Sequence, residues 1–123
     1  MRSLKILVVD DSRAMRTIVR RVLRQAGFGH HHVLEAQDGF DAIQTIKDER
    51  PHLILADWNM PAMNGLDLLK TLRKAKFSLP FGLVTAEGTA DMRKLAHEAG
   101  AQFLVAKPFD AKSFRTALSG YLG

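Results

Sequence analysis

Apolar residues along this chain form two alternating patterns. Five short runs, rich in valine, isoleucine and leucine, predict buried strands, because strands covered on both faces have nearly continuous apolar sequences. They occupy residues 4–9, 33–36, 53–57, 81–85 and 103–106. After each run, apolar residues recur at the spacing of one helix face. The pattern therefore predicts five strands and five helices in strict alternation.

Turn and capping residues set the expected helix boundaries. Serine, aspartate and asparagine favour helix starts, and glycine and proline favour ends. The expected starts are Asp11 or Ser12, Asp38, Asn64 and Asp110, and the expected ends are Gly27, Arg50-Pro51 and Gly100. We expect Leu95 to mark the fourth helix's apolar stripe and Tyr121 to lie on the fifth helix's inner stripe. Gly82, inside the fourth strand, implies close packing.

Five strand-helix units in succession call for an α/β fold, with a parallel sheet, right-handed crossovers and helices on both faces. No linker, shift in composition or longer repeat divides the chain. We therefore expect one domain over residues 1–123, with no output domain attached.

Composition excludes some classes of protein. There is no cysteine, so disulfides and thiolate metal sites are excluded, and a reducing cytoplasm is expected. No apolar run is long enough to span a membrane, and the first residues do not resemble a signal peptide. The net charge of +5 leaves an acidic protein or nucleic acid open as partner. Nucleic acid is the weaker option because no DNA-binding motif is present.

Charged and hydroxyl side chains follow four of the five strands. Asp10 and Asp11 follow the first strand, Asp57 ends the third, Thr85 ends the fourth and Lys107 follows the fifth. In a parallel sheet these strand ends share one edge, where ligands bind. Three carboxylates so close would repel unless a cation offset them, and Mg²⁺ suits carboxylate oxygens. Each residue alone has an ordinary structural explanation, such as a helix cap, and only their combination is specific.

The same set has the parts that phosphoryl transfer requires. Transfer depends mainly on positioning and on neutralising charge on the phosphoryl oxygens. Asp57 offers a nucleophilic carboxylate, Lys107 a cation and Thr85 a hydroxyl donor, while Ala86 leaves the approach open. We therefore interpret Asp57 as the site of an aspartyl phosphate.

These motifs resemble the receiver domain of two-component response regulators over essentially the whole chain. The matching segments are Asp10-Asp11, Asp57-Trp58-Asn59-Met60-Pro61, Val84-Thr85-Ala86-Glu87 and Lys107-Pro108-Phe109. Within the family, the chain is most similar to the single-domain chemotaxis type. The resemblance implies a flavodoxin-like sheet of strand order 2-1-3-4-5.

The resemblance also implies roles for individual residues. Asp57 would take a phosphoryl group from a histidine kinase or phosphotransfer protein, with Thr85 and Lys107 binding that group. Asp11, Asp57 and the Asn59 carbonyl would bind Mg²⁺, assisted by Asp10. Lys107-Pro108 would be a cis peptide, and Asn59 and Glu87 would tune hydrolysis of the acyl phosphate. Such a protein is not an ordinary enzyme, since it promotes only its own phosphorylation and dephosphorylation.

The resemblance further implies how the signal leaves the domain. The face made by the fourth helix, fifth strand and fifth helix would shift and change binding to an output protein, such as a flagellar motor switch protein. We expect a monomer that binds neither membrane nor nucleic acid. The chain departs from the family at Leu104, where an aromatic residue that turns inward on phosphorylation is usual. Gly29-His30-His31-His32, before the second strand, resembles an insertion.

Three features leave alternatives open. The stripe Arg13, Arg16, Arg20 and Arg24, with Arg21 beside it, is either a solvated helix face or a docking site for an acidic partner. The latter would also suit a phosphorylation-independent protein-binding module. A flavodoxin-like nucleotide binder ranks last, because no glycine-rich loop follows the first strand. We expect the three histidines to form a solvated loop rather than a metal site, and Trp58 to be partly exposed.

Overall fold

The computed structural model describes residues 3–122. Its strands are β1 (Lys5–Val9), β2 (His32–Ala36), β3 (Leu53–Asp57), β4 (Phe81–Thr85) and β5 (Phe103–Ala106). They form one parallel sheet in the order β2-β1-β3-β4-β5. The predicted α/β class, doubly wound architecture and strand order are confirmed.

Five helices connect and follow the strands. They are α1 (Arg13–Leu23), α2 (Gly39–Glu49), α3 (Gly65–Lys74), α4 (Ala90–Glu98) and α5 (Ala111–Leu122), and α1 continues into a widened turn, Arg24–Phe28. Oxygen atoms of Ser12, Asp38, Asn64 and Thr89 accept the N–H of the residue three positions later and so cap the first four helices. Gly27, inside the widened turn, and Gly100, shortly after α4, have φ of 96° and 100°, a region that favours glycine and interrupts the helical backbone.

The sheet separates two apolar cores. On one face, α1 and α5 cover the side chains of Ile6 and Val8. On the other face, α2, α3 and α4 cover Leu7 and Val9. Alternate residues of one strand thus contact different helix layers, which explains why the strand sequences are apolar without interruption.

Two helices near the edge of the sheet, α4 and α5, bury fewer of their apolar side chains than predicted. Leu95 on α4 is 48% exposed, because α4 lies near the edge strand β5 and only Ala96 of its residues is buried. Tyr121 is 38% exposed, and Leu122 is buried in its place. The Tyr121 ring lies against Phe103, with centroids 5.6 Å apart. The inward placement of Tyr121 was therefore wrong.

The close packing expected at Gly82 is present. A Cβ built on Gly82 would lie 1.9 Å from Cε2 of Phe103 on the neighbouring strand. Only a residue without a side chain lets the Phe103 ring lie across β4 at this point.

The histidine segment is not a solvated loop throughout. His31 is buried, and its Nδ1 accepts the Leu4 N–H at 3.0 Å. Its Nε2 lies 3.2 Å from the Leu122 carbonyl oxygen, to which the neutral ring can donate. His31 thus joins the start of β1 to the end of α5, whereas its neighbours His30 and His32 are exposed.

Within residues 3–122, no helix is both long enough and apolar enough to cross a membrane.

Candidate functional site

Strand register gathers the predicted residues at one edge of the sheet. Val9 pairs with Ala56 and Asp57 with Val84, so the chain after β1 and the end of β3 lie side by side. Thr85 at the end of β4 pairs with Ala106, the residue before Lys107. The order of the strands therefore places Asp57 centrally, between the carboxylates after β1 and the residues that end β4 and follow β5.

Three carboxylates form a close cluster there. Each of Asp10, Asp11 and Asp57 offers an oxygen atom within 4.8 Å of the others. Asp10 and Asp57 are buried, and Asp11 is exposed. Burial is the main cause that raises the pKa of both Asp10 and Asp57, and the nearby carboxylates add to it. In the absence of a cation the cluster is electrostatically unfavourable.

The start of α1 holds Asp10 in position. The Ser12 N–H donates to Asp10 Oδ1 at 2.9 Å, and the Ser12 side chain caps the helix. Arg16, one turn along α1, donates to the Asp10 carbonyl oxygen at 2.7 Å. Both the backbone and the carboxylate of Asp10 are thus fixed by the helix that follows it.

Lys107 provides a cation beside Asp57. Its Nζ lies 3.4 Å from Asp57 Oδ1, and its backbone N–H donates to the Thr85 carbonyl oxygen at 2.7 Å. The charge of Lys107 opposes the increase in the pKa of Asp57 without cancelling it. The peptide between Lys107 and Pro108 is cis, as predicted.

Thr85 has no exposed surface, and its hydroxyl faces its own loop. The Glu87 N–H donates to Thr85 Oγ1 at 3.2 Å, and Oγ1 lies 3.4 Å from the Glu87 carbonyl oxygen. Ala86 and Glu87 are exposed beside it. The structure thus places Thr85 at the predicted edge, with its hydroxyl bonded within the β4–α4 loop.

The first residue of α3, Gly65, has a role at the site that the sequence did not predict. A Cβ on Gly65 would lie 2.4 Å from the Asp57 carbonyl oxygen, and the Gly65 N–H donates to the Trp58 carbonyl oxygen at 2.9 Å. Only glycine lets α3 begin this close to Asp57. Trp58 is buried, with 8% exposure, so the expectation of partial exposure was wrong. Asn59 is exposed beside the carboxylates.

Two arginines of the α1 stripe already form ion pairs within the domain. Arg16 and Arg20 both pair with Glu35 on β2, at 2.8 and 3.2 Å, so neither is simply solvated. Beside the stripe, an apolar cleft of about 350 Å³ reaches Lys107. Its other lining residues are Met15, Ile18, Pro108 and Phe109.

The residues present suit a hard divalent cation. Among residues 3–122, the one grouping of three or more potential metal ligands is Asp10, Asp11 and Asp57, and the histidine segment is not part of it. All three offer carboxylate oxygen, which Mg²⁺ prefers. Burial is the main cause of the raised pKa of the two buried members, and a cation would offset the carboxylate repulsion that adds to it.

Comparisons with known proteins agree with this geometry. The family model described as "Response regulator receiver domain" matches residues 6–119. The chain is 38% identical over 119 residues to chemotaxis protein CheY-3 of Vibrio cholerae, covering 95% of this chain and 90% of that protein. It is 39% identical over 123 residues to a chemotaxis protein CheY homolog of Campylobacter jejuni, covering 98% and 93% respectively.

Solved structures show the same fold. Chemotaxis protein CheY4 of Vibrio cholerae superposes with a TM-score of 0.85 at 31% identity, covering 98% of this chain and 100% of that one. The signal receiver domain of a putative LuxO repressor from Vibrio parahaemolyticus gives a TM-score of 0.88 at 25% identity, covering 98% and 91%.

Proposed function

The chain belongs to the response regulator receiver domain family, and on that premise we propose that Asp57 accepts a phosphoryl group from a phosphohistidine. The donor would be a histidine kinase or phosphotransfer protein, and the domain would act as a phosphorylation-controlled switch of the chemotaxis type. The observation that carries this proposal is the buried Asp57 carboxylate, 3.4 Å from Lys107 and within 4.8 Å of two further carboxylates.

The chain's own groups are suited to the transfer. An ionised Asp57 oxygen attacks phosphorus, the phosphorus–nitrogen bond breaks and its electron pair returns to the donor imidazole. Lys107 is close enough to pair with a phosphoryl oxygen once Asp57 has become an acyl phosphate. Asp57 must be ionised to attack, so its raised pKa predicts that phosphorylation slows as the pH falls through that pKa.

Asp11, Asp57 and the Asn59 carbonyl would hold Mg²⁺, assisted by Asp10. Bound there, the ion would neutralise negative charge on the transferred group. Asp11 is the exposed member of the cluster and would be the first of the three carboxylates to meet a cation from solvent. Glu87 and Asn59, which are both exposed, would influence the approach of water and hence the lifetime of the acyl phosphate.

The partner that delivers the phosphoryl group would approach over α1. Residues 13–28 and 111–122, which form α1 with its widened turn and α5, contain seven arginines and lysines and no acidic residue. The apolar cleft beside α1 ends at Lys107, next to Asp57. This surface suits an acidic, amphipathic helix whose apolar ridge fills the cleft.

Phosphorylation would alter the face formed by α4, β5 and α5 and so change binding to an output protein. That residues 1–123 act as one receiver without an output domain stays a prediction. A flagellar motor switch protein as the output partner stays a prediction from the family resemblance, and the relatives' names say only that they are chemotaxis proteins.

Labelling with a small phosphodonor tests the proposal. With Mg²⁺ and acetyl phosphate, intact-protein mass spectrometry should show one added phosphoryl group in wild type and none in Asp57→Asn. Asp48→Asn, which removes an exposed carboxylate from α2, serves as the matched control and should be labelled normally. Labelling of Asp57→Asn, or none of wild type, would overturn the proposal.

The basic surface keeps one alternative open, a protein-binding module that works without phosphorylation. In that case the affinity for an acidic partner would be the same in Asp57→Asn and with or without Mg²⁺. It would fall as salt is added or in Arg21→Glu. Arg21 is the suitable position because it is exposed, whereas Arg16 and Arg20 already pair with Glu35.

A further inference from the structure

Leu104 lacks the ring through which receivers of this family usually link the phosphorylated site to the output face. Leu104 is half-buried on β5 and packs against the core under α4. Two cavities of about 590 and 180 Å³ lie along this strand. Both are lined by Arg93, Phe103 and Leu104, so Arg93 stands at their common border.

Arg93 joins two parts of the molecule that the switch must connect. Its Nε donates to the Gly88 carbonyl oxygen at 3.3 Å, and its Nη1 donates to the Leu104 carbonyl oxygen at 3.4 Å. Gly88 lies in the β4–α4 loop, and Leu104 lies on β5. Both hydrogen bonds are longer than the usual 2.9–3.0 Å, and Arg93 is exposed. The bridge that Arg93 forms between Gly88 and Leu104 is therefore weak and can break and re-form.

Gly88 is itself tightly enclosed by this bridge. A Cβ at position 88 would lie 2.9 Å from the Ala106 Cβ and 3.1 Å from Arg93 Nη2. There is therefore little space for a side chain at position 88 between β5 and the guanidinium. A displacement of Gly88 would change the position of Arg93 or break the bond that its Nε donates to the Gly88 carbonyl oxygen.

The other end of the same loop holds Thr85. Two contacts of 3.2 and 3.4 Å join Thr85 Oγ1 to the backbone of Glu87, the residue before Gly88. If the Thr85 hydroxyl turns to a phosphoryl group on Asp57, it must leave Glu87. The loop is then released at one end, and the acceptor that Gly88 offers to Arg93 moves.

We propose that Arg93 couples the site to the output face in place of an aromatic residue on β5. This inference rests on the proposed function and names the regulation of the same site. In the unphosphorylated state, Arg93 bridges Gly88 and Leu104 and keeps the two cavities apart. Movement of the loop frees the guanidinium, and the cavities join into one groove along β5. Arg93 is a positioning residue, since it does not touch the phosphoryl group.

Coupling through Arg93 predicts whether removing this residue tightens or weakens the binding of a phosphoryl mimic, and the predicted sign differs from that of a simple loss of structure. If the Arg93 bridge favours the unphosphorylated conformation, removing it must tighten binding of a phosphoryl mimic. With Mg²⁺ present, we expect the Kd for beryllofluoride to fall about fivefold in Arg93→Ala. Arg93→Lys should be intermediate, because one ammonium cannot match a guanidinium fork across two carbonyls. A merely structural role would weaken binding instead.

The experiment titrates beryllofluoride into wild type, Arg93→Ala, Arg93→Lys and the control Lys94→Ala, and follows backbone amide shifts. Lys94 is exposed on the same helix and forms an ion pair with Glu98 at 4.0 Å. In Arg93→Ala alone, the free-state amides of residues 86–88 and 104 should shift toward their positions in beryllofluoride-bound wild type. Binding that is unchanged or weaker in Arg93→Ala, alongside normal binding in wild type, would overturn the Arg93 proposal alone. No binding in wild type would overturn the proposed function and this inference with it.

Discussion

Replacing Asp10 by asparagine should stabilise the protein when divalent cations are absent. Asparagine has nearly the same shape, and its Oδ1 can still accept the Ser12 N–H that now binds Asp10 at 2.9 Å. The substitution removes one buried negative charge from a cluster whose oxygens lie within 4.8 Å of one another. The change therefore isolates the electrostatic cost of the site from its packing.

The size of the effect follows from Coulomb's law. Two like charges separated by 4.8 Å, the upper limit within the cluster, repel by about 3.5 kcal/mol at an effective dielectric constant near 20, and by about 1 kcal/mol in water. Lys107 offsets part of this repulsion, and burial of Asp10 adds to the cost. We expect Asp10→Asn to gain about 2 kcal/mol in free energy of unfolding, or about 8 °C in Tm.

The pH dependence gives the sign of the effect. The folded-state pKa of Asp10 is raised above its usual value of 3.8. Its contribution to stability is therefore complete below about pH 4 and is lost as the pH rises through the folded-state pKa. The advantage of Asp10→Asn should be largest near pH 7.5 and should vanish as the pH falls.

Urea denaturation in EDTA at several pH values measures this directly. Asp11→Asn is the matched control, because Asp11 belongs to the same cluster but is exposed, and it should change stability much less. If Asp10→Asn is no more stable than Asp11→Asn at pH 7.5, the electrostatic account of the site is wrong.

Two further predictions concern the fold that supports the site. Gly82→Ala should lower the free energy of unfolding by about 3 kcal/mol, because the added Cβ would overlap the Phe103 ring. The control Gly120→Ala, whose Cβ would have nothing within 4 Å, should raise the free energy of unfolding by about 0.5–1 kcal/mol. Equal urea midpoints for the two variants would contradict the packing explanation. His31→Ala should cost about 2–3 kcal/mol through the loss of two bonds. Burial lowers the pKa of His31 from 6.5, so wild type but not His31→Ala should lose stability as the pH falls below about 6.5, and identical pH profiles would refute this role.

The sheet and the main site could be predicted because the sequence shows both the spacing of apolar residues and the alternation of strands with helices. Uninterrupted apolar runs specify strands covered on both faces, and their alternation with helices specifies a parallel sheet. Every polar residue at a strand's carboxyl end is then placed on one edge. For that reason the sequence predicts that Asp10, Asp57, Thr85 and Lys107 lie near one another.

The sequence does not show how much of each helix surface is buried by neighbouring elements. Features that depend on this burial could not be predicted. Leu95 and Tyr121 have helical spacing, but their helices lie near the sheet edge and bury less of each stripe. His31 is buried because Leu4 and Leu122 complete its hydrogen bonds, and both are distant in sequence. The proximity of Gly65 to the Asp57 backbone likewise depends on the path of a loop.

The most direct test of the central claim is to locate the phosphoryl group among the three clustered carboxylates. Wild-type protein would be phosphorylated with acetyl phosphate and Mg²⁺, the acyl phosphate reduced with borohydride, and the reduced residue identified by peptide mass spectrometry. Because Asp57 alone lies beside Lys107 at 3.4 Å, reduction should occur at Asp57 and should disappear when EDTA replaces Mg²⁺. Reduction at Asp10 or Asp11, or at Asp57 regardless of Mg²⁺, would contradict the account.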